Sequence, residues 1–269
     1  GIEADGPDGK IIKWTQPEIL LYDDDPFIRI SYPDLIEDDG KFYITETQKD
    51  IARVHEIDAG MLEKLWGQFD LEELTETGLT LSLPDDSGKM PKEIKMPDFS
   101  PFIQRNYTRA DYGSEDMRQG FTIDIWFELK SDKSGQVLID NRLANGQGIA
   151  LQTTGKGTVE IVLNDGRTES RWDCDPGLIQ KKKLHHLTVI VDGGPKIITF
   201  ILDGILCDGG DYRQFGWGRF NPDYRGVEGM EILRIGPSLK GKIMSLRMYD
   251  RALLTTETIG NYRYGLNKP

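Results

Sequence analysis

Three groups of residues have the types and spacing to do chemistry. Tyr32, Asp34 and Glu46 set a phenol near two carboxylates, and a phenol so placed can be activated as a nucleophile. The competing reading has Tyr32 packed at a strand start and both acids solvated, and it is preferred for this group. The second group is aromatic. Trp172, Trp217, Phe215, Phe220 and Tyr224 fall in loop-like stretches, the last four in QFGWGRFNPDY. Flat rings stack on the apolar faces of sugars while nearby polar groups bond the hydroxyls. Asp173, Asp175, Asp208, Asp211 and Arg219 could supply those bonds. Against this stands a glycine-rich loop that is pinned by its own tryptophan and packed on the body of the protein.

The third group could hold an ion. Asp23-Asp24-Asp25 and Glu37-Asp38-Asp39-Gly40 lack the alternate ligand spacing of a calcium loop, so solvated turns are expected. His55-Glu56 would need a second histidine where Ala59 stands, so it is not a zinc-protease motif. Adjacent His185 and His186 face opposite sides of a strand, one expected in the core and the other exposed. The expectation is no metal and no cofactor. The acids Glu128, Glu160 and Glu169 stand singly, without the clustered pair a sandwich glycoside hydrolase uses. No nucleophile elbow and no phosphate-cradling glycine pattern occurs.

These groups need a scaffold, and residues 121–249 supply the pattern for it. Phe121, Ile123, Ile125, Phe127 and Leu129 occupy every second position, the period of a strand with one buried face. Alternation returns in Val159, Ile161 and Leu163, in Leu187, Val189 and Val191, in Ile197, Thr199 and Ile201, and over 243–249. Asn145-Gly146, Asp165-Gly166 and Asp203-Gly204 punctuate the runs as hairpin formers. Trp126 has the opposite parity to its strand's apolar face, so it points outward to a ligand or lies under the N-terminal segment.

Upstream, residues 1–13 lack periodicity and read as a leader. Residues 14–58 hold four strand candidates, 19–22, 31–37, 41–47 and 52–57, a small β-meander. Residues 59–109 read as a helix with Asp58 as N-cap, then a proline-rich connection over 84–101, with 79–83 as a possible first sandwich strand beside the last one. Residues 110–269 complete the sandwich and end in one short helix through Tyr262. The expected fold is therefore all-β, an antiparallel β-sandwich with a small N-terminal β-meander and one or two short helices.

Composition narrows the partners. The formal net charge of −12 argues against nucleic acid and anionic membranes, while neutral ligands such as sugars stay open. No apolar run approaches the ~20 residues of a membrane span, and no signal peptide is seen. The pattern is already under way at Gly1, so a piece of something longer is expected. Asn106-Tyr107-Thr108 is a glycosylation sequon of a kind that arises by chance. The two cysteines, Cys174 and Cys207, could be bridged or be buried thiols.

With the strands placed, residues 110–264 resemble the concanavalin A-like, laminin G-like jelly rolls. The resemblance lies in FTIDIWFEL, LHHLTVIVDG, KIITFILDGIL and the ending LRIGPSLKGKIMSLRMYDRALLTTE. It implies two curved antiparallel sheets and a role in carbohydrate binding or adhesion, with some catalytic members. Residues 14–58 resemble the last blade of a sialidase-like β-propeller through WTQPEILLY, SYPDLIEDDGKFYITET and IARVHEID. In that family the tyrosine matching Tyr32 is the catalytic nucleophile, but its following serine is Pro33 here. The arginine triad and acid/base would come from earlier blades that this chain lacks. The resemblances imply a non-catalytic, carbohydrate-related accessory domain of a secreted, periplasmic or cell-surface glycosidase-like parent, with an upstream propeller as partner. Trp126, Trp172, Trp217, Arg219, Asp173 and Asp208 are its candidate ligand-binding residues. The alternative is a glycoside hydrolase, active in the sandwich cleft or only with the missing blades.

Overall fold

The structure is a computed structural model that describes residues 1–22, 31–47, 51–84, 88–99, 119–221, 224 and 226–266. The triplet Asp23-Asp24-Asp25 and the sequon at Asn106 lie outside the described residues.

Residues 1–13, expected as a leader without periodicity, lie largely in two strands. β1 (Ile2–Gly6) and β2 (Gly9–Lys13) form an antiparallel hairpin. The next sheet has three described strands, β3 (Ser31–Asp38), β4 (Lys41–Thr47) and β5 (Ala52–Ile57), in sequential antiparallel order. Asp39 and Gly40 make the β3–β4 turn with φ of 49° and 76°, the left-handed geometry that the Asp-Gly pair predicts. Ile19–Tyr22, expected as a fourth strand, is not in a strand. Its run ILLY is apolar without alternation, and it lies on the sandwich instead of joining a half-exposed sheet.

Asp58 caps α1 (Ala59–Trp66) as expected, its carboxylate accepting from the Met61 backbone N–H at 3.0 Å. β6 (Leu79–Leu83) follows, and the proline-rich stretch after it contributes β7 (Glu93–Lys95), where only a connection was expected. The sandwich continues with β8 (Gln119–Leu129), β9 (Val137–Asp140), β10 (Gly148–Thr153), β11 (Val159–Asn164) and β12 (Glu169–Asp173). It is completed by β13 (Leu184–Asp192), β14 (Ile197–Leu202), β15 (Ile205–Leu206), β16 (Trp217–Arg219), β17 (Ile232–Ile235) and β18 (Gly241–Arg251). α2 (Thr255–Leu266) ends the described chain.

One sheet runs β12-β11-β10-β9-β17-β7, and the other runs β15-β14-β13-β8-β18-β6 with β16 also on β14. All pairings are antiparallel, and β6 lies beside β18, so the first and last sandwich strands are neighbours as expected. Between the sheets lie Phe121, Ile123, Ile125 and Phe127, all fully buried, with Val159, Ile161 and Leu163 facing them. This is the all-β antiparallel sandwich that the alternation predicts.

β14 corrects one parity. Val189 of β13 sits opposite Phe200, so Ile198, Phe200 and Leu202 join the core between the sheets. Ile197, Thr199 and Ile201, expected inside, face outward. The strand is apolar on both faces because its outer face is also covered: Ile190, Ile201 and Ala252 form a second, smaller core there.

Cys174 and Cys207 are free, buried thiols. Burial is the main cause that raises both, and it pushes Cys207 up to about 12. Thiolates are the reactive form, so a thiol reagent at pH 8 is expected to label neither cysteine in the native chain and both in denaturant. Rapid native labelling would contradict this packing.

Candidate functional site

The covered outer face of the β13–β14–β16 side holds a groove of about 690 Å³. Ile190 and Asp192 of β13, Ile197 and Thr199 of β14, and Trp217 and Arg219 of β16 line it. The register explains the set. Trp217 pairs with Thr199 and Arg219 with Ile197, so all four side chains share the outer face, while Gly218 between them faces inward. One wall is Pro17–Tyr22, and the other carries Asp208, Gln214 and Phe215.

The first wall is tied down by polar contacts. Gln16 Oε1 accepts from the Leu206 N–H at 3.0 Å, and Gln68 bonds both the Gln16 N–H and its carbonyl. Glu18 caps α2, its carboxylate oxygens accepting from Thr255 N–H at 3.0 Å and Thr256 N–H at 2.7 Å. On the facing wall Phe215 and Trp217 have ring centroids 4.9 Å apart, and both rings are exposed, 49% and 42%. Two large rings so exposed, side by side above an apolar floor, make a stacking platform.

Of the sequence candidates, Trp217, Arg219 and Asp208 come together here, with Phe215. Trp172 and Asp173 do not. Arg213 stacks over the Trp172 ring at 4.2 Å, and its guanidinium bonds the carboxylates of Asp173 at 3.1 Å and Asp175 at 2.8 Å. Asp175 also accepts from Gly209 N–H at 3.0 Å. This knot fastens the 207–219 loop to the end of β12, so these residues support the platform from beneath. Phe220 and Tyr224 are buried, and the Tyr224 hydroxyl donates to the Leu163 carbonyl at 2.8 Å. For these residues the self-anchoring loop is the arrangement found.

Gly218 is the closest point of that support, since a Cβ there would lie 2.2 Å from Trp172 Cδ2. Gly218→Ala is therefore expected to push the indole or β16 away, costing about 1–3 kcal/mol as overpacking does. A urea midpoint equal to that of the parent chain would show that the contact is slack.

Trp126 is corrected outright. It faces outward as its parity requires, but α2 covers it: the ring is 7% exposed and stacks on Tyr262 with centroids 5.7 Å apart. Neither a ligand nor the N-terminal segment is its cover. The same helix buries His186, so His185 and His186 face opposite sides yet are both fully buried. His185 Nε2 accepts from Gln180 N–H at 2.9 Å, which leaves Nδ1 to donate to Asp203 at 2.9 Å.

Tyr32, Asp34 and Glu46 do not assemble. Tyr32 is 84% exposed, at a φ of 52° in an irregularity of β3. Glu46 is buried, with Arg53 at 2.9 Å and His55 at 3.6 Å. No hydrogen bond joins the phenol to either acid among the described residues. Of the single glutamates, Glu160 and Glu169 share Arg171, at 2.8 and 2.6 Å, and Glu128 lies 3.4 Å from Lys242. Among the described residues no group of three His, Cys, Asp or Glu side chains could hold a metal ion, and no helix is long and apolar enough to cross a membrane.

Sequence reasoning missed Ile190, Asp192, Ile197, Thr199 and the Pro17–Tyr22 wall. The doubly apolar run IITFIL was the signal for a second covered face.

A family model described as the Concanavalin A-like lectin/glucanases superfamily matches residues 104–259. Among solved structures, the Ruminococcus gnavus IT-sialidase CBM40 bound to α2,3-sialyllactose is 16% identical, with a TM-score of 0.43, over 69% of this chain and 100% of that one. A leech intramolecular trans-sialidase complexed with 2,7-anhydro-Neu5Ac is 16% identical, with a TM-score of 0.42, over 70% of this chain and 28% of that one. The botulinum neurotoxin serotype D binding domain is 14% identical, with a TM-score of 0.41, over 55% of this chain and 37% of that one. A search of curated protein sequences returned no match.

Proposed function

The chain belongs to the Concanavalin A-like lectin/glucanases superfamily, and from that premise we propose that it is a non-catalytic carbohydrate-binding domain whose site is the Phe215–Trp217 groove. The observation that carries this reading is the pair of exposed rings over an apolar floor, with Thr199, Asp208, Gln214 and Arg219 at hydroxyl-bonding positions around it. A sugar presents the matching surface, apolar C–H faces edged by hydroxyls.

The hydrolase alternative would need two free carboxylates facing each other across the groove. The acids lining it are Glu18, Asp192 and Asp208. Glu18 caps α2, Asp192 accepts from Gly194 N–H at 3.0 Å, and Asp208 accepts from Gly210 N–H at 2.9 Å. Each already accepts from a backbone N–H, Glu18 through both carboxylate oxygens, which supports the binding role.

The reading extends to the parent. A secreted, periplasmic or cell-surface glycosidase-like protein with an upstream propeller would give the domain its accessory role. Exposed apolar side chains support such packing: Ile36 and Val54 on one face of the three-stranded sheet, and Ile11, Ile12 and Trp14 at the hairpin.

The test is isothermal titration of the chain against a panel of oligosaccharides. Binding to at least one glycan, with a rise in melting temperature, is the expected result. Silence from a folded chain across the panel would overturn the proposal.

A further inference from the structure

Arg219 differs from every other described arginine. Arg53, Arg142, Arg167, Arg171, Arg213, Arg234, Arg247 and Arg251 each contact a carboxylate, and Arg263 bonds main-chain carbonyls. Arg219 alone has no partner among the described residues, in a chain with 45 acids against 33 bases. It is exposed, lines the groove, and shares the outer face of β16 with Trp217 two residues away. Residues two apart on a strand are separated by about 7 Å. That is the reach from a sugar ring stacked on Trp217 to an acidic substituent on that ring or on its neighbour.

Resting on the carbohydrate reading, we infer that the groove takes a saccharide bearing a carboxylate, held by Arg219 while its ring stacks on the Phe215–Trp217 platform. A guanidinium meets a carboxylate through two parallel N–H···O bonds, a geometry that a neutral hydroxyl does not match. The neighbouring Asp192 and Asp208, and the net charge of −12, repel a densely charged chain. The ligand class is therefore an oligosaccharide that is neutral apart from one acidic sugar, either a uronic or a nonulosonic acid.

Calorimetry on the full chain separates these sources. One arm compares sialyllactose with lactose. The other compares a glucuronic-acid-terminated disaccharide with the same disaccharide reduced at its carboxyl group. Preference for the acid by tenfold or more in one arm identifies the source. In that arm Arg219→Gln is expected to abolish the preference, the acid losing at least tenfold more affinity than its neutral partner, whereas Trp217→Ala weakens both alike. Circular dichroism and the melting temperature of each variant confirm that the fold is retained. Equal affinity for acid and neutral forms in both arms, or an equal loss of both in Arg219→Gln, overturns the inference while sparing the carbohydrate reading. No binding of these four sugars overturns the inference, and silence across the wider panel overturns the carbohydrate reading as well.

Discussion

Asp124→Ala is expected to lower stability by about 3–5 kcal/mol, the cost of breaking a buried ion pair. Asp124 is fully buried on the outer face of β8. Its carboxylate meets His186 Nε2 at 3.0 Å, Arg247 at 3.3 Å and the Asn261 amide at 3.0 Å, and Asn261 also bonds the Tyr249 hydroxyl at 3.0 Å. Four elements, β8, β13, β18 and α2, therefore converge on one carboxylate. Removing it leaves a largely buried guanidinium without its counter-charge and takes from Asn261 of α2 its bond to β8, leaving only the bond to Tyr249 between that amide and the sheet. Melting should fall by about 10 °C at the usual 2–4 °C per kcal/mol. Hydrogen exchange along 255–266 should accelerate as the helix loosens. A fall under 3 °C would mean that water reaches the site and replaces the carboxylate.

The same network predicts the response to acid. Burial by itself would raise Asp124, but the charge and hydrogen bond of His186, then Arg247 and Asn261, hold it below the ordinary carboxylate range. Burial would likewise raise Glu257 and, less completely buried, Asp203, but Arg251 and His185 respectively hold them below the ordinary range. A carboxyl depressed in the folded state stabilises fully above its unfolded pKa, about 4, and that stability is lost as pH falls through the folded value. The urea midpoint is therefore expected to hold down to about pH 5 and drop steeply below pH 4. In Asp124→Ala that acid slope should be shallower. An unchanged slope would assign acid sensitivity to other carboxyls.

The second large effect is on binding. Trp217→Ala is expected to weaken sugar affinity by at least tenfold, about 1.4 kcal/mol, because aromatic anchors carry most of the energy of such contacts. Trp217 is 42% exposed, so its removal should leave the melting temperature within about 2 °C, as surface substitutions do. Phe215→Ala should show a smaller loss, since its ring flanks the indole at 4.9 Å and shares the platform. Full affinity in Trp217→Ala would move the site elsewhere on the domain.

The sandwich was legible because alternation at period two is a local property. Phe121 to Leu129 must present one face to a core whatever the rest of the chain does. Turn chemistry was equally local, as Asp39-Gly40 shows. β14 was misread because IITFIL has no polar parity to break the tie, and only the register of Val189 on Phe200 fixes which side is inside. The hairpin of residues 2–13 was not legible because GKIIK carries its apolar residues consecutively, and a solvated hairpin does not need a buried face.

For the site, sequence identified residue types but could not sort them. Trp126, Trp172 and Trp217 are chemically alike, yet one lies under α2, one under Arg213 and Gly218, and one is exposed. Composition, alternation and turn residues by themselves determined an all-β chain with an acidic surface and a glycine-bounded aromatic loop, because each follows from neighbours along the backbone. Which ring faces solvent, which described arginine keeps no partner, and that residues 17–22 wall a groove on β14 were decided only by tertiary structure. Those facts depend on segments more than two hundred residues apart meeting at one face, as Glu18 and Thr256 do at a separation of 238 residues, and short-range pattern carries no information about which distant segment arrives there.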